Sequence, residues 1–401
     1  DVNKTCFSKK EIKGEVFCDF FPPILKAIKL QNKKIIKLLL AHENINVNYE
    51  RISSYENHFR FYKRTILFTA IKNNDVDIVE LLISCTKTDV NYASIHKTFD
   101  GSIFKDCPLF NAVKKNNIDI IKLLLSHPKI DVNHLLTRSS AYKKSMPSFL
   151  ELIINKENIE ILKLFLSHPK IDVNIHSEFT SKNKSNCISP LHNAIYNTKN
   201  LEMVKLLLSH PNIDVNNMAI GEKICYFPIH YAINNNQIEL IKLLLSHKNI
   251  NINAIHYYIK NDEMIQSTPL FLAIKNRNIE IIKILLSHNN GKLESYRYYE
   301  KNLNYSKISA LYYAVEKNEL EIVKLLSSHS EIDVNFKYSY QSETKIKHKV
   351  ILHKAIKTIN TSIAEILINN PRVDINMKSI TKINQDVFYK EKNKTTLYYA
   401  V

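Results

Sequence analysis

Seven histidines, His42, His127, His168, His210, His247, His288 and His329, recur at one place in a repeated pattern. Imidazole ligates metals and titrates near neutral pH, so such a ladder raises metal binding first. Geometry argues against it. Ligands of one ion all lie about 2 Å from it, whereas the helices that would carry successive copies pack about 8–10 Å apart. Cys85 and Asn370 take the same place in two further copies, which suits a helix end better than a metal site. At such an end a partly positive imidazole meets the negative pole of the helix. No H-E-x-x-H, phosphate-cradling loop or nucleophile elbow is spelled, and Gly14, Gly101, Gly221 and Gly291 each stand alone. Neither catalysis nor a cofactor is expected. Six cysteines without a C-x-x-C pair are too sparse for a disulfide scaffold, so the expected setting is intracellular and cytoplasmic.

Lysine supplies most of the remaining chemistry. The formal charge is +17 and the pI about 9.3, which invites an acidic or nucleic-acid partner. Against that stands the joint surplus of Lys, Asn, Ile and Tyr, which an AT-rich coding sequence produces without any partner. Lys122, Lys163, Lys205, Lys242, Lys283 and Lys324 each follow an acid by three residues, as Asp119 precedes Lys122. That pairing is ordinary helix support and marks a solvated face.

The elements that position these groups are repeats. "LSHPKIDVN" stands at 125–133 and again at 166–174, with close echoes throughout the chain. In 189–216, Ser189 is an N-cap and Pro190 a first helical residue; Leu191, Ala194 and Ile195 then recur at helical spacing. "NTKN" breaks the helix, and Leu201, Val204, Leu207 and Leu208 form the apolar face of a second one, which Pro211 stops. Two such short helices cannot bury their faces alone and must stack on neighbours. A small residue recurs in the first helix as Ala27, Ala70, Ala112, Ala194, Ala232, Ala273, Ala314, Ala355 and Ala400. In "SFLELII" (148–154) Ile153 replaces it, which predicts wider or shifted packing there.

"SPLHNAI" (189–195), "FPIHYAI" (227–233) and "STPLFLAI" (267–274), followed by helices such as "IEIIKILLSH" and by "DVN", resemble the ankyrin T-P-L-H-x-A signature. The resemblance spans essentially the whole chain, and is closest to the long-period arrays with HP-x-IDVN motifs common in single-celled eukaryotes. It implies an all-α repeat solenoid, an ankyrin-like helix-turn-helix stack with elongated β-hairpin fingers. The expected organisation is a single array over 1–401 of about nine near-complete repeats with partial ones at both ends, a window of a longer protein. In the signature, His192, His230 and His353 are structural hydrogen-bonding groups.

Two features depart from that family. The period is about 41 residues rather than about 33, the excess falling where a hairpin would lie, and the glycine after the second helix is missing. Alternation in 253–268 around Asn261-Asp262, and in 335–350, reads as hairpins; 216–228 is a short version turning at Gly221.

In ankyrin-like stacks the end of helix 1 faces a concave groove where partners dock. Lys29, Lys72, Lys114, Lys115, Lys156, Lys275, Lys317 and Lys357 fall at that end. Tyrosines concentrate in the fingers, including Tyr142, Tyr257, Tyr258, Tyr298, Tyr338 and Tyr340, and tyrosine is enriched at binding hot spots. The expected function is a monomeric scaffold that binds a protein partner, acidic if the lysines engage it. The rival is a nucleic-acid or anionic-surface module tracking phosphates with the lysine ladder; scarce arginine argues against base-specific readout. No apolar run approaches the roughly 18 residues of a membrane span.

Overall fold

Each repeat opens with a helix that its own first residues set up. Thr65, Ser148 and Ser309 sit in extended backbone just before such helices, and their hydroxyl oxygens accept the amide three residues on at 3.2, 3.1 and 3.1 Å. Proline starts the helices at Pro23, Pro108, Pro228 and Pro269. The link to the second helix needs one left-handed residue, supplied by Asn74, Asn116, Asn236 and Asn318 at φ 63°, 61°, 52° and 63°. The next asparagine, as at Asn117, Asn158 and Asn278, caps the second helix.

The structure is a computed structural model. It describes residues 1–401 except 13–14, 56–57, 99, 140–142, 182–183, 198–199, 222–223, 261–262, 289–295, 302–303, 343–344, 358–359, 386–387 and 395–401. Tyr142, Gly14, Gly291, Ala400 and the expected Asn261-Asp262 turn lie outside the described residues.

The chain divides into two compact units, Asp1–Ile213 and Asp214–Val401. The first begins with β1 (Cys6–Ile12), β2 (Glu15–Phe21), α1 (Pro23–Lys29), α2 (Lys33–Leu40), β3 (Glu50–Tyr55) and β4 (His58–Thr65). There follow α3 (Ile66–Asn73), α4 (Val76–Ile83), β5 (Ser94–Lys97), β6 (Ile103–Asp106), α5 (Pro108–Lys115) and α6 (Ile118–Leu125). It ends with β7 (Thr137–Ser139), β8 (Lys143–Met146), α7 (Phe149–Asn155), α8 (Ile159–Leu166), β9 (Ser177–Ser181), β10 (Lys184–Ile188), α9 (Pro190–Asn197) and α10 (Leu201–Leu208).

The second unit begins with β11 (Ala219–Ile220), β12 (Ile224–Tyr226), α11 (Pro228–Asn234), α12 (Ile238–Leu245), β13 (His256–Lys260) and β14 (Glu263–Ser267). Next come α13 (Pro269–Lys275), α14 (Ile279–Ser287), β15 (Tyr296–Lys301), β16 (Asn304–Ser309), α15 (Ala310–Glu316) and α16 (Leu320–Ser328). It closes with β17 (Tyr338–Ser342), β18 (Lys345–Lys349), α17 (Ile351–Lys357), α18 (Thr361–Ile368), β19 (Ser379–Gln385) and β20 (Phe388–Lys394).

Helices of seven to nine residues are marginal alone; stacking buries them. The first helix of a pair is nearly all core, as with Leu109, Phe110, Ala112 and Val113. The second gives one face, Ile120, Ile121 and Leu124, and the loop adds Ile130 and Val132. Packing between successive first helices alternates between more and less extensive along each unit. The α5–α7 contact is sparse, but α7, which carries Ile153, meets α9 more extensively than any other two first helices meet, and α13–α15 is similarly sparse with Ala273 and Ala314 in place. The substitution is therefore not the cause.

The hairpins are not separate fingers. In the first unit each pairs with the next, β2 with β3, β4 with β5, β6 with β7 and β8 with β9, giving one antiparallel meander. The second unit repeats this from β12–β13 to β18–β19. Eighteen helices thus stand beside twenty strands among the described residues. The all-α class expected from the sequence is too narrow, because strands of this length find partners in neighbouring repeats.

Three polar ladders join the repeats. In each "DVN" loop the asparagine clamps the next loop. Asn133 Nδ2 donates to the Lys170 carbonyl at 2.7 Å and its Oδ1 accepts the Asp172 amide at 2.8 Å; Asn48, Asn91, Asn216 and Asn335 do likewise. The preceding aspartate fixes the clamp, its Oδ1 accepting the asparagine amide, as Asp131 does for Asn133 at 3.0 Å. The helix-2 caps form the second ladder: Asn158 Nδ2 donates to Asn116 Oδ1 at 2.7 Å, and Asn278 to Asn236 at 3.2 Å. Arg277 and Glu319 put an ion pair of 2.7 Å in the same place.

Histidine is the third. His127, His168, His210, His247 and His329 each accept, at Nδ1, the amide two residues on at 3.2–3.3 Å. The other ring nitrogen of His329 reaches the Leu286 carbonyl of the previous repeat at 2.9 Å. Asn370 reproduces both bonds, to the Arg372 amide and the Ser327 carbonyl. His329 thus bridges two repeats as an amide side chain would, in the manner of Asn370.

Candidate binding surface

Each helix-1 end meets one face of the sheet, and the two units differ in what stands there. In the first unit, β-sheet alternation and register bring Arg64, His96, Phe104, Asp106, Arg138 and Ser177 to the helix-facing side. Lys72, Lys114 and Lys115 are exposed in the last turns of α3 and α5. Phe110 of α5 is buried, with Lys114 Nζ 5.8 Å and the Arg138 guanidinium 5.6 Å from its ring centre. Arg64 lies 5.3 Å from Phe68. Carboxylates accompany these cations. Burial raises the Asp106 pKa against the pull of Lys114, Arg138 and Arg64. It also raises that of Glu151, opposed by a Ser177 hydrogen bond and Arg138.

Lys156 is placed differently from its ladder mates. Its ammonium donates to the Lys114 carbonyl at 2.6 Å and that of Val113 at 3.3 Å, the C-terminal pole of α5. It ties one repeat to the next.

In the second unit the five singled-out tyrosines separate. Tyr257 and Tyr258 are consecutive in a strand and face opposite ways. The register Tyr258↔Ile265↔Tyr299↔Ser306↔Tyr340 puts Tyr258 and Tyr340 on one face, with Tyr338 two residues away on the same side. That face meets the helices: Tyr338 stacks on Tyr312 of α15 at 5.4 Å, and Lys275 of α13 lies 5.9 Å from the Tyr258 ring. Tyr257 and Tyr298 lie on the other face, Tyr257 37% exposed and Tyr298 against Tyr305 at 6.1 Å. Burial, then Glu300 and Tyr305, raises the Tyr298 pKa. Lys317, the residue that caps α15, lies 5.7 Å from Tyr313, and Lys357 is exposed at the end of α17.

The signature histidines are buried. His192 Nδ1 pairs with Ser189 Oγ at 2.8 Å, and His353 Nδ1 with Ser379 Oγ at 2.6 Å, the latter from the next hairpin. His230 is fully buried 4.4 Å from His256; burial first, then His256, holds its pKa well below the usual range.

Sequence reasoning missed Arg64, Arg138, Tyr312, Lys347 and Lys349. Lys347 lies 5.6 Å from the Tyr340 ring and Lys349 5.5 Å from that of Tyr338. The alternation of "KIKHK" in 345–349 was the available signal. No helix among the described residues is long and apolar enough to cross a membrane.

A family model described as ankyrin repeats (three copies) matches residues 12–94, 109–219, 150–256, 191–293 and 229–338. Among solved structures the chain is similar to the ankyrin repeat protein EF0377, at 22% identity and a TM-score of 0.39, over 56% of this chain and 97% of that one. It is also similar to the ankyrin repeat domain of Bcl-3, a member of the IkappaB family, at 19% identity and 0.43, over 66% and 98%. Comparison with curated proteins gives no match.

Proposed function

The chain belongs to the ankyrin repeat family, and on that premise we propose that it is a protein-binding scaffold rather than an enzyme. Ankyrin repeats are in general protein–protein interaction modules. What supports the reading for this chain is the set of side chains at the helix-1 ends and on the sheet. Lys72, Lys114, Lys115, Lys275, Lys317 and Lys357 are exposed, three of them, Lys114, Lys275 and Lys317, beside aromatic rings, and Tyr257 projects from the opposite sheet face. Such a surface suits recognition over several repeats, each contact contributing modestly. The intracellular setting belongs to the same proposal: Cys6, Cys85, Cys107 and Cys187 are free thiols, as a reducing compartment keeps them.

A nuclease-treated pull-down from the source cell, comparing the chain with its Lys72/Lys114/Lys275→Glu variant, tests this. A discrete protein retained by the parent and lost by the equally folded variant supports the scaffold and its groove. A catch that vanishes with nuclease, or that the variant keeps in full, overturns it.

A further inference from the structure

Strands β17 and β18 and helix α17 hold five lysines, Lys345, Lys347, Lys349, Lys354 and Lys357, and no carboxylate. The turn between the strands carries Glu343, outside the described residues. Lys345, Lys347 and Lys349 alternate along β18 and so share the helix-facing side, roughly 6.6–6.8 Å apart at strand rise. They stand opposite Ser342, Tyr340 and Tyr338. Glu316 of α15 reaches this face, but it is engaged by Lys354 at 2.8 Å. We propose that this face binds an extended acidic peptide segment whose carboxylates, at every second residue, engage Lys345, Lys347 and Lys349.

Period carries the proposal first. An extended peptide repeats its side chains every two residues, as β18 does, so successive carboxylates meet successive ammonium groups. Preorganisation comes second: Lys347 and Lys349 are held against Tyr340 and Tyr338 at 5.6 and 5.5 Å, which limits the side-chain freedom lost on binding. Crowded charge is third, only partly offset by Glu316. Burial, then Lys345, lowers the Lys347 pKa; burial, then Lys354 and Lys357, lowers that of Lys349. A bound anion relieves that repulsion. β18 pairs with both β17 and β19, so the partner adds no strand here and recognition is through side chains.

Single-stranded nucleic acid fits less well. It binds by stacking bases on open rings, whereas Tyr338 is already stacked on Tyr312 and both strand tyrosines carry a lysine. Acidic peptide is the class the rings favour.

The proposal rests on the protein-binding reading and narrows it, and its test needs no cell extract. Fluorescence anisotropy of the full chain is measured with a labelled peptide of five Glu-Ser repeats, a Glu-Glu-Ser-Ser peptide of equal charge and length, and a thymidine oligonucleotide of equal charge. The alternating peptide is expected to bind best. Lys347→Gln with Lys349→Gln weakens it about tenfold, while Lys122→Gln with Lys163→Gln, on the solvated face of the second helices, leaves it unchanged. Equal loss from both pairs, equal binding of the two peptides, or tighter binding of the oligonucleotide overturns it. Should the double variant lose its circular dichroism signal, Lys345→Gln and the peptide comparison decide. A pull-down that succeeds while the alternating peptide fails removes this site alone and leaves the scaffold standing.

Discussion

Replacing Asn133 by alanine tests whether the "DVN" clamp holds the stack. The side chain makes two bonds to the next loop, from Nδ2 to the Lys170 carbonyl at 2.7 Å and to Oδ1 from the Asp172 amide at 2.8 Å. A typical intramolecular hydrogen bond contributes about 0.5–1.5 kcal/mol net, so two give about 1–3 kcal/mol. Asn133 is only half-buried, and water reaches the freed groups, which favours the lower half of that range. Asparagine to aspartate sharpens the test. Aspartate still accepts the Asp172 amide, but it turns a carboxylate oxygen toward the Lys170 carbonyl where a donor stood. It should therefore cost at least as much as alanine, although it keeps one of the two bonds. Because the chain holds two units and need not unfold in one step, local hydrogen exchange is the assay, read at the Asp172 amide. Protection should fall by about 1–2 kcal/mol in Asn133→Ala, with a lower urea midpoint for the first unit. If that amide keeps its protection in both variants, or aspartate proves as stable as asparagine, the clamp is not what joins the repeats.

The histidine bridges make stability depend on pH. Burial first lowers the His168 pKa below the ordinary 6.5, so its contribution is whole above that value and is lost as the pH falls toward the folded-state pKa. His230 acts in the same direction. Thermal melts should fall between pH 7.5 and 5, and His168→Asn, which copies Asn370, should be near neutral at pH 7.5 and less sensitive to acid. Cys107 occupies an N-cap position without a side-chain cap bond, and burial pushes its thiol pKa up to about 12. It should resist alkylation at pH 8 while exposed Cys6 reacts, and Cys107→Thr should add about 0.5–1 kcal/mol by restoring the cap that Thr65 makes. In the Arg277–Glu319 pair, each change to asparagine alone should cost less than about 1 kcal/mol at this exposed site. The double change, which rebuilds the Asn236–Asn278 arrangement, should recover most of that loss in a double-mutant cycle.

The helix pairs were legible because their signals are local. Ser189 and Pro190 announce one start, Pro211 one stop, and the spacing of Leu201, Val204 and Leu207 one buried face, each within a few residues. The hairpin at 335–350 was legible in the same way, from two-residue alternation. Pairing between hairpins was not. Nothing within 256–267 says that Gln266 will lie opposite Tyr298 of the next repeat, since register across some thirty residues is set by how the helices stack beneath it. The division of Tyr257 from Tyr258 is the instructive middle case. Their adjacency already required opposite faces, and only the direction of the helices was missing.

The surplus of asparagine and lysine calls for a revised account on the same grounds. AT-rich coding explains why Asn and Lys are plentiful, but it does not explain where they stand. Asparagine recurs in the loop clamp, the left-handed turn and the helix-2 cap, and in each it uses what the alternatives lack. A clamp needs a donor and an acceptor on separate atoms of one short side chain; aspartate lacks the donor, and serine has a single oxygen for both roles. The turn favours a residue that tolerates positive φ, and glycine is scarce in this chain, although Gln31, Glu157 and Arg277 take the same turn in other repeats. The cap needs an acceptor for its own helix and a donor for the neighbour. Lysine divides likewise. Lys156 and Lys170 are turned to carbonyls of the preceding repeat, the second at 2.9 Å on Pro128. Part of the +17 charge therefore serves the stack. What is left for a partner is a matter of position: balanced by Asp106 and Glu151 in the first unit, and gathered on β18 and α17 of the second.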